Sequence, residues 1–224
     1  MPDLYPGAIW RPSVINHPSR PDTLGIVIHW TAGSEPGDVA TLDGPTVDVH
    51  FYVAKDGDVY QFLPFDSQAW HAKFLANRHT VGIETEGRGE PWTDKQLDAV
   101  AKLTAWLCKK YGIPVKHTDP SGTDLSTFRG IFGHRDLSLG GIRVDGNDHT
   151  DTVPDGTGWP TFLKKVNGYM NPVKKPRYFF ERIEDGKTVL KWGPYSRKAR
   201  RDAYYLLVKA AHPTWGLRKF SKES

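Results

Sequence analysis

A single cysteine, Cys108, rules out an internal disulfide, and its place inside a helical pattern reads as buried filler, not as a nucleophile. No segment approaches the ~20 consecutive apolar residues that a membrane span requires. The N-terminal MPDLYPGAIWRPSVI has no basic start followed by an apolar run of signal-peptide length, so synthesis in the cytoplasm is expected. Nor does any internal repeat connect one part of the chain to another. Cysteine chemistry, membrane insertion and repeat architectures are set aside on these grounds.

What is present points to a globular protein. Of 224 residues, 38% are hydrophobic and 12% aromatic, enough to bury a core in one or two domains. The net charge of +4 hides an asymmetry. Residues 172–224 carry 14 Lys+Arg against 5 Asp+Glu, or +9, which leaves 16 against 21, or −5, for residues 1–171. A basic tail on a mildly acidic body suggests a polyanionic partner for the tail, such as nucleic acid, an anionic membrane or a charged cell-wall polymer. A merely solvated basic face has the same composition.

Along the chain, the first 22 residues contain five prolines and read as an extended lead-in that packs back over the body. Leu24–Ile28 is a continuous apolar run, the signature of a strand buried on both faces, and it delivers His29 at its end. Residues 47–54 alternate, with Val47, Val49, Phe51 and Val53 on one side and Asp48, His50, Tyr52 and Ala54 on the other. Asp56-Gly57 turns the chain into a returning strand at 59–62. Trp70-His71 falls in a loop, and the strand at 80–84 ends on Glu84. A helix begins at Thr93, where Thr93 and Gln96 form a capping box, and stops at Gly112 and Pro114. Residues 129–133 form a short strand leading to His134, and Trp159-Pro160 opens a last short helix through Val166.

Residues 131–154, IFGHRDLSLGGIRVDGNDHTDTVP, gather two histidines and several carboxylates between an apolar run and a proline. Zinc accepts imidazole nitrogen and carboxylate oxygen, and a catalytic zinc takes three protein ligands and keeps one open position. Polar loops of this kind also occur without any metal, so the stretch alone leaves both readings open.

Six motifs in order resemble one family. They are IVIHWTAG, VDVHFYVAKDGDVYQFLPFDSQAWHA, VGIETEG, the helix opening at Thr93, GHRD and HTDTVP. Together they resemble the zinc-dependent N-acetylmuramoyl-L-alanine amidases of the amidase-2 and peptidoglycan-recognition-protein type, phage endolysins in particular. The resemblance implies an α/β fold with a central mixed β-sheet flanked by helices across residues 1–170, with its core at 24–166. Outside the resemblance, residues 171–176 read as a linker and 177–224 as a small basic ββαβ unit, in which Glu184-Asp185-Gly186-Lys187 turns a second hairpin and Ser196 caps a helix. The resemblance implies one zinc ion held by His29, His134 and Asp151, with Glu84 as general base and His149 as hydrogen-bond donor to the oxyanion. It also implies substrate contacts from His50, Trp70 and Asn77. The chain departs from the family in a longer insertion, Asp136 to Asp148, which leaves Asp145, Asp148 and His149 open as alternatives to Asp151.

The activity so implied is hydrolysis of the amide between N-acetylmuramic acid and L-alanine of peptidoglycan by zinc-activated water. An endolysin-type enzyme would act on the cell wall after release through a separate permeabilising protein, its basic tail on an anionic wall polymer. Nucleic acid and membrane insertion are not expected, and a monomer is. A recycling amidase for soluble muropeptides and a non-catalytic peptidoglycan-binding module are the alternatives.

Overall fold

In the computed structural model, which describes residues 4–72, 74–120, 124–139, 149–171, 177–185, 187–195 and 198–222, the apolar run after Leu24 lies near the middle of a six-stranded sheet. The strands are β1 (Ile9–Trp10), β2 (Gly25–Ile28), β3 (Phe51–Val53), β4 (Val59–Gln61), β5 (Thr80–Thr85) and β6 (Gly130–Gly133), in the order β1-β4-β3-β5-β2-β6. Only β3 and β4 pair antiparallel, as the two arms of the Asp56-Gly57 hairpin. The pairs β1/β4, β3/β5, β2/β5 and β2/β6 are parallel.

Parallel strands are covered on both faces, and burial follows that rule here. Ile26, Val27, Ile28, Phe51, Tyr52, Val53, Val81 and Ile83 are all fully buried. One face packs against helices α3 (Asp94–Tyr111) and α5 (Trp159–Met170) through Ile26, Ile28, Val100, Leu103, Leu107 and Phe162. Each such side chain contributes about 1.5–3 kcal/mol by leaving water. The opposite face of β3 is also closed, by Val39 and Leu42 of α1 (Gly37–Leu42) together with Val49, Tyr52 and Phe62. The alternation at 47–54 therefore does not separate a core face from a wet one.

At the start of α3 the Thr93 hydroxyl accepts from Gln96 N at 3.1 Å, half of the expected capping box. The other half does not form, because the Gln96 amide reaches inward and donates to the carbonyls of Val53 (3.2 Å) and Glu86 (2.9 Å). A buried carbonyl without a partner costs more than an exposed helix end does. Cys108 is buried in α3, and burial pushes its thiol up to about 12. The last helix of the body runs to Met170, beyond the stop expected at Val166. Three six-residue helices, α1, α2 (Phe74–His79) and α4 (His134–Leu139), are too short to show a helical period.

The lead-in does pack back. Besides β1 on β4, Ser13 N bonds Phe62 O and Gln68 N bonds Pro18 O. Ser13 Oγ and His17 Nε2 both reach the fully buried carboxylate of Asp48.

The chain divides into two compact units, Met1–Asn171 and Pro172–Ser224. In the second, strands β7 (Arg177–Glu184), β8 (Lys187–Tyr195) and β9 (Gly216–Lys222) form an antiparallel sheet in the order β8-β7-β9, with α6 (Lys198–Ala211) between β8 and β9. Glu181, 4% exposed, pairs with Arg218 at 2.8 Å. Helix α6 leaves Tyr204, Leu206 and Leu207 exposed. Ser196, expected to cap that helix, lies outside the described residues. No described helix is long and apolar enough to cross a membrane.

Candidate metal centre

Register assembles this site. Ile28 pairs with Ile83 on β5 and with Gly133 on β6, so one step further along three adjacent parallel strands stand His29, Glu84 and His134. The β2/β5 ladder continues through that row, with His29 N bonded to Ile83 O at 2.9 Å and Thr85 N to His29 O at 3.1 Å. The carboxyl ends of parallel strands are where α/β sheets place their sites.

The fourth residue arrives from a loop. Arg135 N donates to Asp151 O at 2.9 Å, which fixes the Asp151 backbone against the start of α4. The neighbouring Thr152 lies so close to β6 that a Cβ on Gly133 would stand 2.0 Å from its Oγ1. Only glycine admits that approach.

His29 Nδ1 and His134 Nδ1 converge on one atom, Asp151 Oδ2, at 2.8 and 3.1 Å. The three residues are 1%, 5% and 8% exposed, and their donor atoms lie within 4.8 Å of one another. Desolvation raises the Asp151 carboxyl, but hydrogen bonds from His134 and His29 outweigh it and hold it well below the usual carboxylate range. Burial disfavours charge on His29, yet Glu84 and Asp151 raise its pKa above the ordinary value. A cluster that favours a proton on a buried imidazole favours a cation, and two imidazoles with one carboxylate suit zinc. The donor set fits the metal that the sequence implied. Asp145 and Asp148 lie outside the described residues.

Glu84 Oε1 is 3.9 Å from His29 Nδ1, and its side chain is 19% exposed. Its other oxygen, Oε2, is buried without a hydrogen-bond partner among the described residues. Burial pushes this carboxyl up to about 7, with His29 opposing and Asp151 and Asp38 adding. A cation in the cluster would act in the same direction as His29. His149 stacks on His134 with ring centroids 3.7 Å apart, and its Nδ1 is 3.2 Å from Asp151 Oδ1. The expected general base and the expected oxyanion hydrogen-bond donor thus flank the donor set.

The three expected substrate contacts separate. Trp70 is 45% exposed, its ring packed nearly perpendicular to that of His17. Asn77 instead uses Oδ1 to hold the loop at His71 N (3.1 Å) and Ala72 N (2.7 Å). His50 has no exposed surface. Its Nδ1 accepts from Gly82 N at 3.1 Å, its Nε2 meets Ser67 O at 3.0 Å, and Arg20 lies alongside and bonds Thr80 O. Burial first, then Arg20, hold its pKa well below the ordinary value. Alternation failed here because β3 is interior to the sheet and both of its sides are covered. Sequence reasoning also passed over His71, whose Nδ1 stands 3.0 Å from His29 Nε2; a glycine in the middle of β5 was the available signal.

Residues 19–154 match the family Amidase_2, N-acetylmuramoyl-L-alanine amidase. The chain belongs to this amidase family. Among curated relatives, the 1,6-anhydro-N-acetylmuramyl-L-alanine amidase AmpD of Citrobacter freundii is 30% identical over 116 residues, covering 41% of this chain and 62% of its own length. The match thus spans less than two thirds of that relative. Two solved structures share the amidase fold. A selenomethionine AmpD derivative has a TM-score of 0.51 at 21% identity, over 73% of this chain and 96% of that one. The Staphylococcus aureus hydrolase AmiA with its ligand has a TM-score of 0.55 at 18% identity, over 74% and 85%.

Proposed function

We infer that the body hydrolyses the amide between N-acetylmuramic acid and L-alanine in peptidoglycan, with His29, His134 and Asp151 holding one zinc ion. The observation that carries this reading is the unpartnered Glu84 Oε2 beside three converging metal donors. Bound there, zinc would polarise the scissile carbonyl and lower the pKa of a water toward ~7. Glu84 accepts a proton from the attacking water and returns it to the departing alanine nitrogen. His149 donates a hydrogen bond to the oxyanion as it forms. The exposed Trp70 indole offers a flat surface to glycan or stem peptide. A binding-only module would have no need of the full donor set.

The endolysin-type reading draws support from the +9 charge of residues 172–224, which suits an anionic wall polymer. The likeness to AmpD, named for anhydro-muropeptide substrate, favours the recycling reading. Turnover on intact sacculi compared with soluble anhydro-muropeptide separates the two. Zinc-loaded protein should release new amino-terminal alanine from peptidoglycan, and His29→Ala should not; full activity in that variant would end the proposal. Deleting residues 172–224 should abolish wall binding and spare soluble turnover, and retained wall binding would remove the anchoring role.

A further inference from the structure

We propose that His71 is a positioning residue which accepts a hydrogen bond from His29 Nε2 and so keeps Nδ1 as the nitrogen turned toward His134 and Asp151 and open to a cation. The inference rests on the metal-centre reading above and adds a residue to it. An imidazole can hold a metal only through a nitrogen that carries no proton, and the partner of its other nitrogen decides which one that is.

The direction of the hydrogen bonds is set from a backbone carbonyl. Thr80 Oγ1 lies 2.6 Å from Ala76 O and 3.4 Å from His71 Nε2. Its single proton goes to the nearer atom, a carbonyl that can only accept, and the hydroxyl oxygen is left as an acceptor. His71 Nε2 therefore carries the proton that faces Thr80, and His71 Nδ1 is a lone pair. That lone pair stands 3.0 Å from His29 Nε2, which must then be the donor. His29 Nδ1 then carries only the proton it donates to Asp151 Oδ2 at 2.8 Å, the one a cation would replace. The opposite assignment would set the lone pairs of His71 Nε2 and Thr80 Oγ1 against each other at 3.4 Å, or draw the Thr80 proton away from Ala76 O at 2.6 Å.

The surroundings are built to keep His71 there. A Cβ at residue 82 would stand 2.7 Å from both Cγ and Nδ1 of His71, so only glycine on β5 leaves room for the ring. The loop on either side is tied at three backbone N–H groups, Trp70 to Asp48 Oδ1 at 2.9 Å and His71 and Ala72 to Asn77 Oδ1. His17 and Ser13 of the lead-in hold Asp48 in turn.

The test uses the full chain and zinc alone. Nitrogen-15 spectra of wild type, with and without zinc, should show a proton on His29 Nε2 and none on His71 Nδ1; a bare His29 Nε2 or a proton on His71 Nδ1 would overturn the proposal without any variant being made. By chelator competition, His71→Phe should weaken zinc binding by about 10–100-fold, while His71→Asn, which returns an acceptor near the lost Nδ1, should recover most of it. Equal affinity in His71→Phe and wild type, or a His71→Asn as weak as His71→Phe, would refute the role. Failure of wild type to bind zinc would instead refute the metal centre, and the tautomer measurement would still decide on His71.

Discussion

His29 Nδ1 and Asp151 Oδ2 meet at 2.8 Å across 122 residues of chain. The unfolded chain presents no such pair, so zinc held at the proposed centre should stabilise the folded state. At free zinc a hundredfold above its Kd, linkage adds about 2.7 kcal/mol. Calorimetric scans should show a higher melting temperature with zinc, reversal by chelator, and no shift in Asp151→Ala.

Glu84→Gln keeps the shape of the side chain and removes its basicity. Since Glu84 is no part of the donor set, zinc affinity should stay near wild type. Turnover should drop by about 100- to 10,000-fold, the usual worth of a positioned acid–base group. Stopped release of amino-terminal alanine with zinc still bound would separate the base from the ligands, whereas loss of zinc would make Glu84 part of the metal shell.

His50 offers a test of burial against substrate contact. Removing its ring in His50→Ala leaves Gly82 N and Ser67 O without their partner, and a buried unsatisfied group costs about 1–3 kcal/mol. Urea unfolding should show a loss of at least that size, with KM for muropeptide unchanged. A raised KM at unchanged stability would restore His50 to the cleft.

Asp98 ties α3 to α5. It meets Lys102 at 2.7 Å, Lys165 at 3.2 Å and the Tyr169 hydroxyl. Desolvation pushes its carboxyl upward, but the bonds from Lys102, Tyr169 and Lys165 outweigh this and hold its pKa at about 2. Because the folded value lies below the ordinary one of about 3.9, the stabilisation is complete above the ordinary value and is lost as pH falls through the folded one. The gap in urea midpoint between wild type and Asp98→Asn should therefore narrow between roughly pH 5 and pH 2. A gap independent of pH would assign the effect of the substitution to something other than charge.

Fold and site were legible where one physical constraint dominated the sequence. The apolar run 24–28 declared a strand buried on both faces, and α3 has enough turns for its period to show. His29, Glu84 and His134 stood out because each follows an apolar strand. What stayed hidden depends on neighbours. The six-residue helices α1, α2 and α4 have no full period of their own, and the fate of His50 was decided by α1 and the lead-in, which close the side of β3 that alternation left open. His71 sits in a loop without periodicity, and its importance became visible only when Gly82 was seen to make room for it.

The shared row of His29, Glu84 and His134 also bears on how the protein matures. Side chains alternate along a strand, so a one-residue slip of β2 against β5 would turn His29 away from Glu84 to the other face of the sheet. Parallel pairings close long loops and form late. A refolding chain that regained its helices before its strand register would still be blind to metal, so zinc capture at the proposed centre would report the locking of that register.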